Sequence, residues 1–240
     1  SIYKYANIAS MKSHGIEFTI SSKNIQSKDF SWNTDFIFSK AKNEVTELNA
    51  RSSVMDLVSG YGFARQGYPV RGLFSIPFVG LSSNGIPMYN INGKITSTDI
   101  DFQTRDNIDY LKYEGPTDPT ITGSFGNIFT YKAFKLNVFI TYSFGNVVRL
   151  NPCFNYQYSD LSSMPREFKN RWTVPGDEKH TNIPAIISKR QYEDNKDLMY
   201  AYNAYNYSTE RIAKGDFIRM KEISLSYDFP KSWITSAKIS

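Results

Sequence analysis

The feature that most constrains the fold is an eleven-residue stretch, Phe134 to Phe144, in which apolar and polar side chains alternate almost without a break. Phe134, Leu136, Val138, Ile140, Tyr142 and Phe144 fall on one face, and Lys135, Asn137, Thr141 and Ser143 on the other, with Phe139 the exception. A period of two belongs to a strand, because successive side chains leave a strand on opposite sides. The aromatics stand near the ends with aliphatics between them, the girdle pattern of a strand that crosses an outer membrane. A two-sided strand also suits a water-facing sheet with one wet side, so both settings stay open at this point.

The same period recurs elsewhere. In Gly15 to Ser22, Ile16, Phe18 and Ile20 oppose Glu17, Thr19 and Ser21. After a polar turn at Lys23 to Lys28, Phe30 to Ser39 sets Phe30, Trp32, Phe36 and Phe38 on one face, interrupted by Thr34. Thr122 to Tyr131 carries Phe125, Phe129 and Tyr131, and Lys132-Ala133 links it tightly to Phe134. Phe217 to Phe229 closes the series, with Ile223, Leu225, Tyr227 and Phe229 opposing Glu222, Ser224, Ser226 and Asp228 before Pro230 ends it. Ile234 to Ser240 reads as the start of a further strand. Strands are thus expected near 14–40, 121–144 and 217–229. The connections alternate between short turns and long stretches, 41–120 and 145–215, read as irregular. Barrels alternate in this way, with short periplasmic turns and long outer loops. Loops of this length in an ordinary water-soluble domain count against the element assignment.

Composition agrees with strands. Tyr (17), Phe (17) and Trp (3) make up 15% of 240 residues, and aromatics favour β-structure. The net charge of +5 is spread among acids and bases, with no basic stripe for nucleic acid. Two histidines, His14 and His180, and one cysteine, Cys153, leave no intrachain disulfide, no zinc set and no nucleophile–base signature. A surface histidine and a packed thiol are the expected roles. Phosphate-binding and dinucleotide fingerprints are absent, so no cofactor, no catalytic residue and no enzyme is expected. Ser1-Ile2-Tyr3-Lys4-Tyr5 does not read as a signal peptide.

Longer segments then carry a specific resemblance. GDFIRMKEISLSYDFP (Gly215 to Pro230), NRWTVPGDE (Asn170 to Glu178) with Thr181-Asn182-Ile183-Pro184, and PTITGSFGNIFTYKAFKLNVFITYSFGN (Pro119 to Asn146) resemble segments of the SusC/RagA-type TonB-dependent outer-membrane transporters. GYPVRGLF (Gly67 to Phe74) and NGIPMYNINGK (Asn84 to Lys94) resemble the loop before that hairpin. The resemblance covers nearly the whole chain. It implies an all-β fold: an antiparallel transmembrane segment, residues 1–240, of a large plugged barrel in the outer membrane of a Gram-negative bacterium. It further implies import of an oligosaccharide or peptide, a SusD-like surface lipoprotein as partner, the TonB complex as energy source, and lipid around the wall. A barrel of about 22 strands of about ten residues needs some 220 residues for strands alone. The chain is therefore expected to be a C-terminal-half piece without plug or TonB-box segment.

Relatives of this type often carry a calcium-loop-like acidic stretch, which here reads Asp99, Asp101, Asp106, Asp109 and Asp118. It starts like an EF-hand and then lacks the central glycine, so a solvated acidic loop is expected and no metal. For ligand contact, the densest aromatic run is Tyr200, Tyr202, Tyr205 and Tyr207; Tyr61, Phe63, Tyr68 and Tyr89 of the first long connection are weaker candidates. Aromatics beside amides suit glycan stacking. A loop packed on its own side chains, or docked on the lipoprotein, has the same composition. Trp172, with Arg171 and the Pro175-Gly176-Asp177 turn beside it, reads as structural. The reading from another class is a water-soluble or surface-attached all-β glycan-binding module, which would bury Leu136, Val138 and Ile140 against a second sheet.

Overall fold

Strict alternation does build the main sheet. A computed structural model of the chain describes residues 9–154 and 163–230. Strands β1 (Ala9–Gln26), β2 (Phe30–Leu48), β8 (Ile121–Tyr131), β9 (Phe134–Phe144) and β12 (Phe217–Tyr227) form one sheet in the order β1-β2-β8-β9-β12. The pairings of β2 with β8, β8 with β9 and β9 with β12 are antiparallel. β1 and β2 run well beyond the stretches in which their alternation is clean. Polar residues fill both faces at their far ends, where periodicity gives no signal. The strand expected at Ile234 to Ser240 lies outside the described residues.

The register stacks the apolar residues in tiers across the strands. Phe30, Tyr131, Phe134 and Tyr227 share the first, and Trp32, Phe129, Leu136 and Leu225 the second. Thr34, Asn127, Val138 and Ile223 make the third, then Phe36, Phe125, Ile140 and Met220, then Phe38, Gly123, Tyr142 and Ile218. Phe18 of β1 joins this face, with ring centroids 5.1 Å from Phe38 and 5.9 Å from Phe36. The opposite face is polar: Ser21 Oγ donates to Asp35 Oδ1 at 2.6 Å, and Asn137 Nδ2 donates to Glu222 Oε1 at 2.9 Å. One apolar and one polar face on antiparallel strands is the pattern of a lipid-facing, water-lined wall. No helix among the described residues is long and apolar enough to cross a membrane.

Two departures from simple alternation have physical causes. Phe139, the apolar residue that β9 puts on the polar face, pairs directly with Gly126 of β8, and a Cβ at Gly126 would sit 3.2 Å from its ring. Tyr142, opposite Gly123 on the other face, lies across that glycine and donates its hydroxyl to Ile37 O of β2 at 2.8 Å. Each bare glycine is thus covered by a cross-strand ring. In β12 the register shifts between Met220 and Glu222, leaving Lys221 as an extra residue. This bulge lets Ile218 and Met220 share a face with Ile223 and Leu225, which strict parity forbids.

The chain divides into two compact units. One is Ser13–Lys42, Pro119–Gly145 and Gly215–Ser240; the other is Ser1–Lys12, Asn43–Asp118 and Asn146–Lys214. The long connections are therefore not irregular. They hold α1 (Val54–Val58), β3 (Gly72–Ser75) paired with β7 (Lys112–Pro116), and a three-stranded sheet of β4 (Phe78–Leu81), β5 (Pro87–Ile91) and β6 (Lys94–Thr96). β10 (Val147–Arg149) pairs with β11 (Ile212–Lys214), and α2 (Lys189–Asp194) and α3 (Leu198–Asn206) lie between them in sequence. These strands are three to five residues long, and β3 is buried at all four positions. Alternation cannot reveal a strand that is short and covered on both sides.

Candidate functional site

The unit built from the long connections carries the residues expected to meet a ligand. α3 explains most of their placement. Leu198, Ala201, Tyr202 and Tyr205 follow the i, i+3, i+4, i+7 spacing of one helical face, and all four are buried. Tyr205 is 3% exposed, edge-on to Phe154 at 5.2 Å and to Phe78 at 5.7 Å. Tyr202 is 2% exposed and packs edge-on to Phe154, also at 5.2 Å. Tyr89 on β5 is fully buried, and its hydroxyl donates to Ala201 O at 2.7 Å. Burial raises the pKa of Tyr89 and of Tyr205 well above that of a free phenol. The structure thus corrects the expectation that Tyr89, Tyr202 and Tyr205 present ring faces to a ligand: their faces are spent on the core. Tyr207 is half-buried against Phe102, with the Arg149 guanidinium 5.7 Å above its ring.

Two of the six tyrosines stay on the surface. Tyr200 points from the far side of α3, and Tyr61 is 79% exposed. The backbone under Tyr61 is held firmly. Its carbonyl accepts from Arg71 Nε at 2.9 Å and from Thr117 Oγ1 at 3.2 Å, while Arg71 Nη1 reaches Asp118 Oδ1 at 2.7 Å. Phe63, two residues on from Tyr61, is 44% exposed, and Tyr68 is packed between Phe74 and Tyr113.

Two arginines, half-buried Arg149 and buried Arg211, not singled out in the sequence, organise this unit. Arg149 donates from Nε to Val58 O at 2.7 Å, from Nη2 to Phe74 O at 2.7 Å and Ser75 Oγ at 3.0 Å, and from Nη1 to Ser208 O at 3.2 Å. Burial lowers its pKa to about 10, so it stays a cation at neutral pH. Arg211 grips both oxygens of Glu167 from Nη1 at 2.9 Å and donates from Nη2 to Asn151 O at 2.6 Å. Nothing in the local sequence distinguishes these arginines from exposed ones, because their carbonyl partners lie up to 91 residues away.

Cys153 is buried beside this arrangement, and burial pushes its thiol up to about 12. The Trp172 segment is a folded turn. Trp172 N donates to Ile183 O at 2.9 Å and its Nε1 to Glu178 Oε2 at 3.1 Å. Asp177 Oδ2 accepts from Thr173 N and Val174 N, and these bonds hold its carboxyl below the usual range.

Four of the five carboxylates of the acidic stretch have a basic partner each. Lys94 pairs with Asp99, Arg51 with Asp106, Arg65 with Asp109 and Arg71 with Asp118. Asp101 Oδ1 accepts from Gln103 N at 2.8 Å. Among the described residues, no group of three or more His, Cys, Asp or Glu side chains stands together as a metal set. What this unit offers chemically is a rigid, hydrogen-bonded surface with exposed aromatics.

No family model matches the chain. Curated relatives do. It is 25% identical over 258 residues to TonB-dependent receptor P3 of Formosa agariphila, covering 95% of this chain and 23% of that protein. It is 26% identical over 237 residues to TonB-dependent receptor SusC of Bacteroides thetaiotaomicron, covering 95% and 22% respectively. The chain thus spans less than a quarter of the length of these two relatives. Among solved structures, the RagAB peptide transporter matches the fold with a TM-score of 0.69 at 21% identity, over 95% of this chain and 24% of that one.

Proposed function

We propose that this chain, which belongs to the SusC/RagA-type TonB-dependent receptors, forms part of the wall and long loops of an outer-membrane importer for a glycan or peptide nutrient. The observation that carries this reading is the tiered sheet, apolar on one face across β2, β8, β9 and β12 and polar on the other. Such a wall separates lipid from an aqueous passage. A water-soluble module would need a second layer against Leu136, Val138 and Ile140, and no sheet or helix of the wall unit supplies one among the described residues.

The unit from the long connections supports a role in handling ligand or partner. It has its own hydrophobic clusters, a hydrogen-bonded arginine hub and surface aromatics at Tyr61 and Tyr200. A surface lipoprotein of the SusD kind and the TonB complex are the partners this reading requires. RagAB is described as a peptide transporter and SusC as a TonB-dependent receptor, and those words support import without choosing the cargo.

The test is depletion of a defined mixture of oligosaccharides and peptides from the medium. Cells expressing the full-length protein are compared with cells lacking it, each with a working and with an inactivated TonB system. Loss of a cargo class only when both protein and TonB are present is the expected result. Equal depletion in all four backgrounds would reject import.

A further inference from the structure

Arg219 on β12 is an exposed cation with no acid beside it. Its guanidinium carbon stands 4.8 Å from the centre of the Phe217 ring, and it makes no hydrogen bond or ion pair among the described residues. The acids nearest to it in sequence are engaged elsewhere. Asp216 Oδ1 accepts from Gly145 N at 2.7 Å, and Glu222 Oε1 accepts from Asn137 Nδ2 at 2.9 Å and from Ser224 Oγ at 2.8 Å.

The neighbours of this arginine share its lack of partners. The register puts Arg219 opposite Thr141 on β9, Thr141 opposite Ser124 on β8, and Ser124 opposite Ile37 on β2, all on the polar face. Ser143 and Phe217 stand opposite each other in the next tier of that face. Residues directly opposite on antiparallel strands have Cβ atoms about 5 Å apart. Ser124 is 8% and Ser143 6% exposed, yet neither hydroxyl makes a hydrogen bond among the described residues, and neither oxygen is sealed from the surface. Thr141, between them, has no side-chain partner there either. A covered hydroxyl without a partner is costly. Three hydroxyls that can each turn to donate, beside a guanidinium that only donates, make a site for an oxyanion.

Resting on the reading of the polar face as the wall of an import passage, we propose that Arg219, Thr141, Ser124 and Ser143 bind the terminal carboxylate of a short peptide in transit. The guanidinium fork fits a planar carboxylate in two-pronged fashion. The surroundings favour a peptide over an acidic sugar. A sugar ring stacks on an aromatic face, and the Phe217 ring beside the site already carries the guanidinium. The exposed aliphatic surface in the same tier is Ile37, three strand spacings of about 4.8 Å from Arg219. An extended tripeptide of about 10 Å, its carboxylate at Arg219, lies along this tier and brings an apolar side chain toward Ile37.

The test uses the full-length protein in non-ionic detergent and the arginine reagent phenylglyoxal, with modification of Arg219 followed by peptide mass spectrometry. The probes are trileucine, its C-terminal amide and galacturonate. Trileucine should slow modification of Arg219, and the amide should not. Ser124→Ala combined with Ser143→Ala keeps Arg219 and removes two small groups. It should raise the half-protecting trileucine concentration about tenfold, the scale of hydrogen bonds to a charged group. Heat-modifiable gel mobility verifies assembly of that variant. An Arg219 that resists the reagent in the protein without probe would overturn the proposal, because an acid of the protein itself then fills the site. Equal protection by the amide, or an unchanged concentration in the assembled double variant, would overturn it as well. Galacturonate protecting as well as trileucine would reject the peptide as occupant. Protection as expected, with no peptide depleted from the medium by cells, leaves the site standing and faults the import reading.

Discussion

Single side chains in this protein take their role from what covers them, and tyrosine shows this most clearly. Tyr61 and Tyr205 are the same residue type in similarly aromatic surroundings in sequence, yet one is 79% and the other 3% exposed. Tyr205→Ala should therefore act on stability: removing a buried ring flanked by Phe78 and Phe154 should cost about 3–5 kcal/mol in the unit that contains it. Hydrogen exchange in α3 and β5 of the assembled full-length protein is the measurement, and unchanged protection there would contradict the packing role. The helical spacing of Leu198, Ala201, Tyr202 and Tyr205 was legible, but it was masked by the tyrosine-rich composition, which invites a binding interpretation. The partners of Arg149 were not legible at all, since three of its four acceptors are backbone carbonyls, which any residue type can offer.

Among the elements, β9 tests the two-faced wall because adjacent residues face opposite sides. Val138→Arg puts a charge on the apolar face and should destabilise the assembled barrel by about 2–4 kcal/mol. Asn137→Arg, on the polar face beside Glu222, should assemble normally. Folding titrations into lipid vesicles distinguish the two, and equal damage would mean that both faces are buried. The faces of β9 were readable because every second residue declares its side. Phe139 was not, because its reason, Gly126, sits on another strand. The bulge at Lys221 was equally hidden: an extra residue shows only when the partner strand is counted against it. Thr34, which interrupts the aromatic run of β2, gains its meaning from Asn127, 93 residues away.

At the scale of the whole molecule, the five-stranded sheet has β1 and β12 as its edges among the described residues. Unpaired edges expose backbone donors and acceptors to any strand that arrives. This chain expressed by itself in aqueous buffer is expected to associate, and light scattering with and without detergent checks it. A monodisperse monomer in water would contradict a wall that needs lipid on one face. The architecture of this sheet was legible because it repeats one local rule. The other unit follows no such rule: its strands are short, its clusters mix helix and strand, and its two halves are separated in sequence by the β8–β9 hairpin.

That separation also sets an order of events. The Arg149 side chain closes on Val58, Phe74 and Ser208, and the last of these lies 59 residues further along the chain. Until that part is present, the cluster in residues 43–118 lacks Ala204 and Tyr207, and Tyr89 lacks the Ala201 carbonyl that its hydroxyl meets. Closure of this unit is thus a late step with high contact order, and it follows the β8–β9 hairpin in chain order. The vulnerable period is the wait before closure, when a protease or a neighbouring chain can reach surfaces that the finished fold never shows.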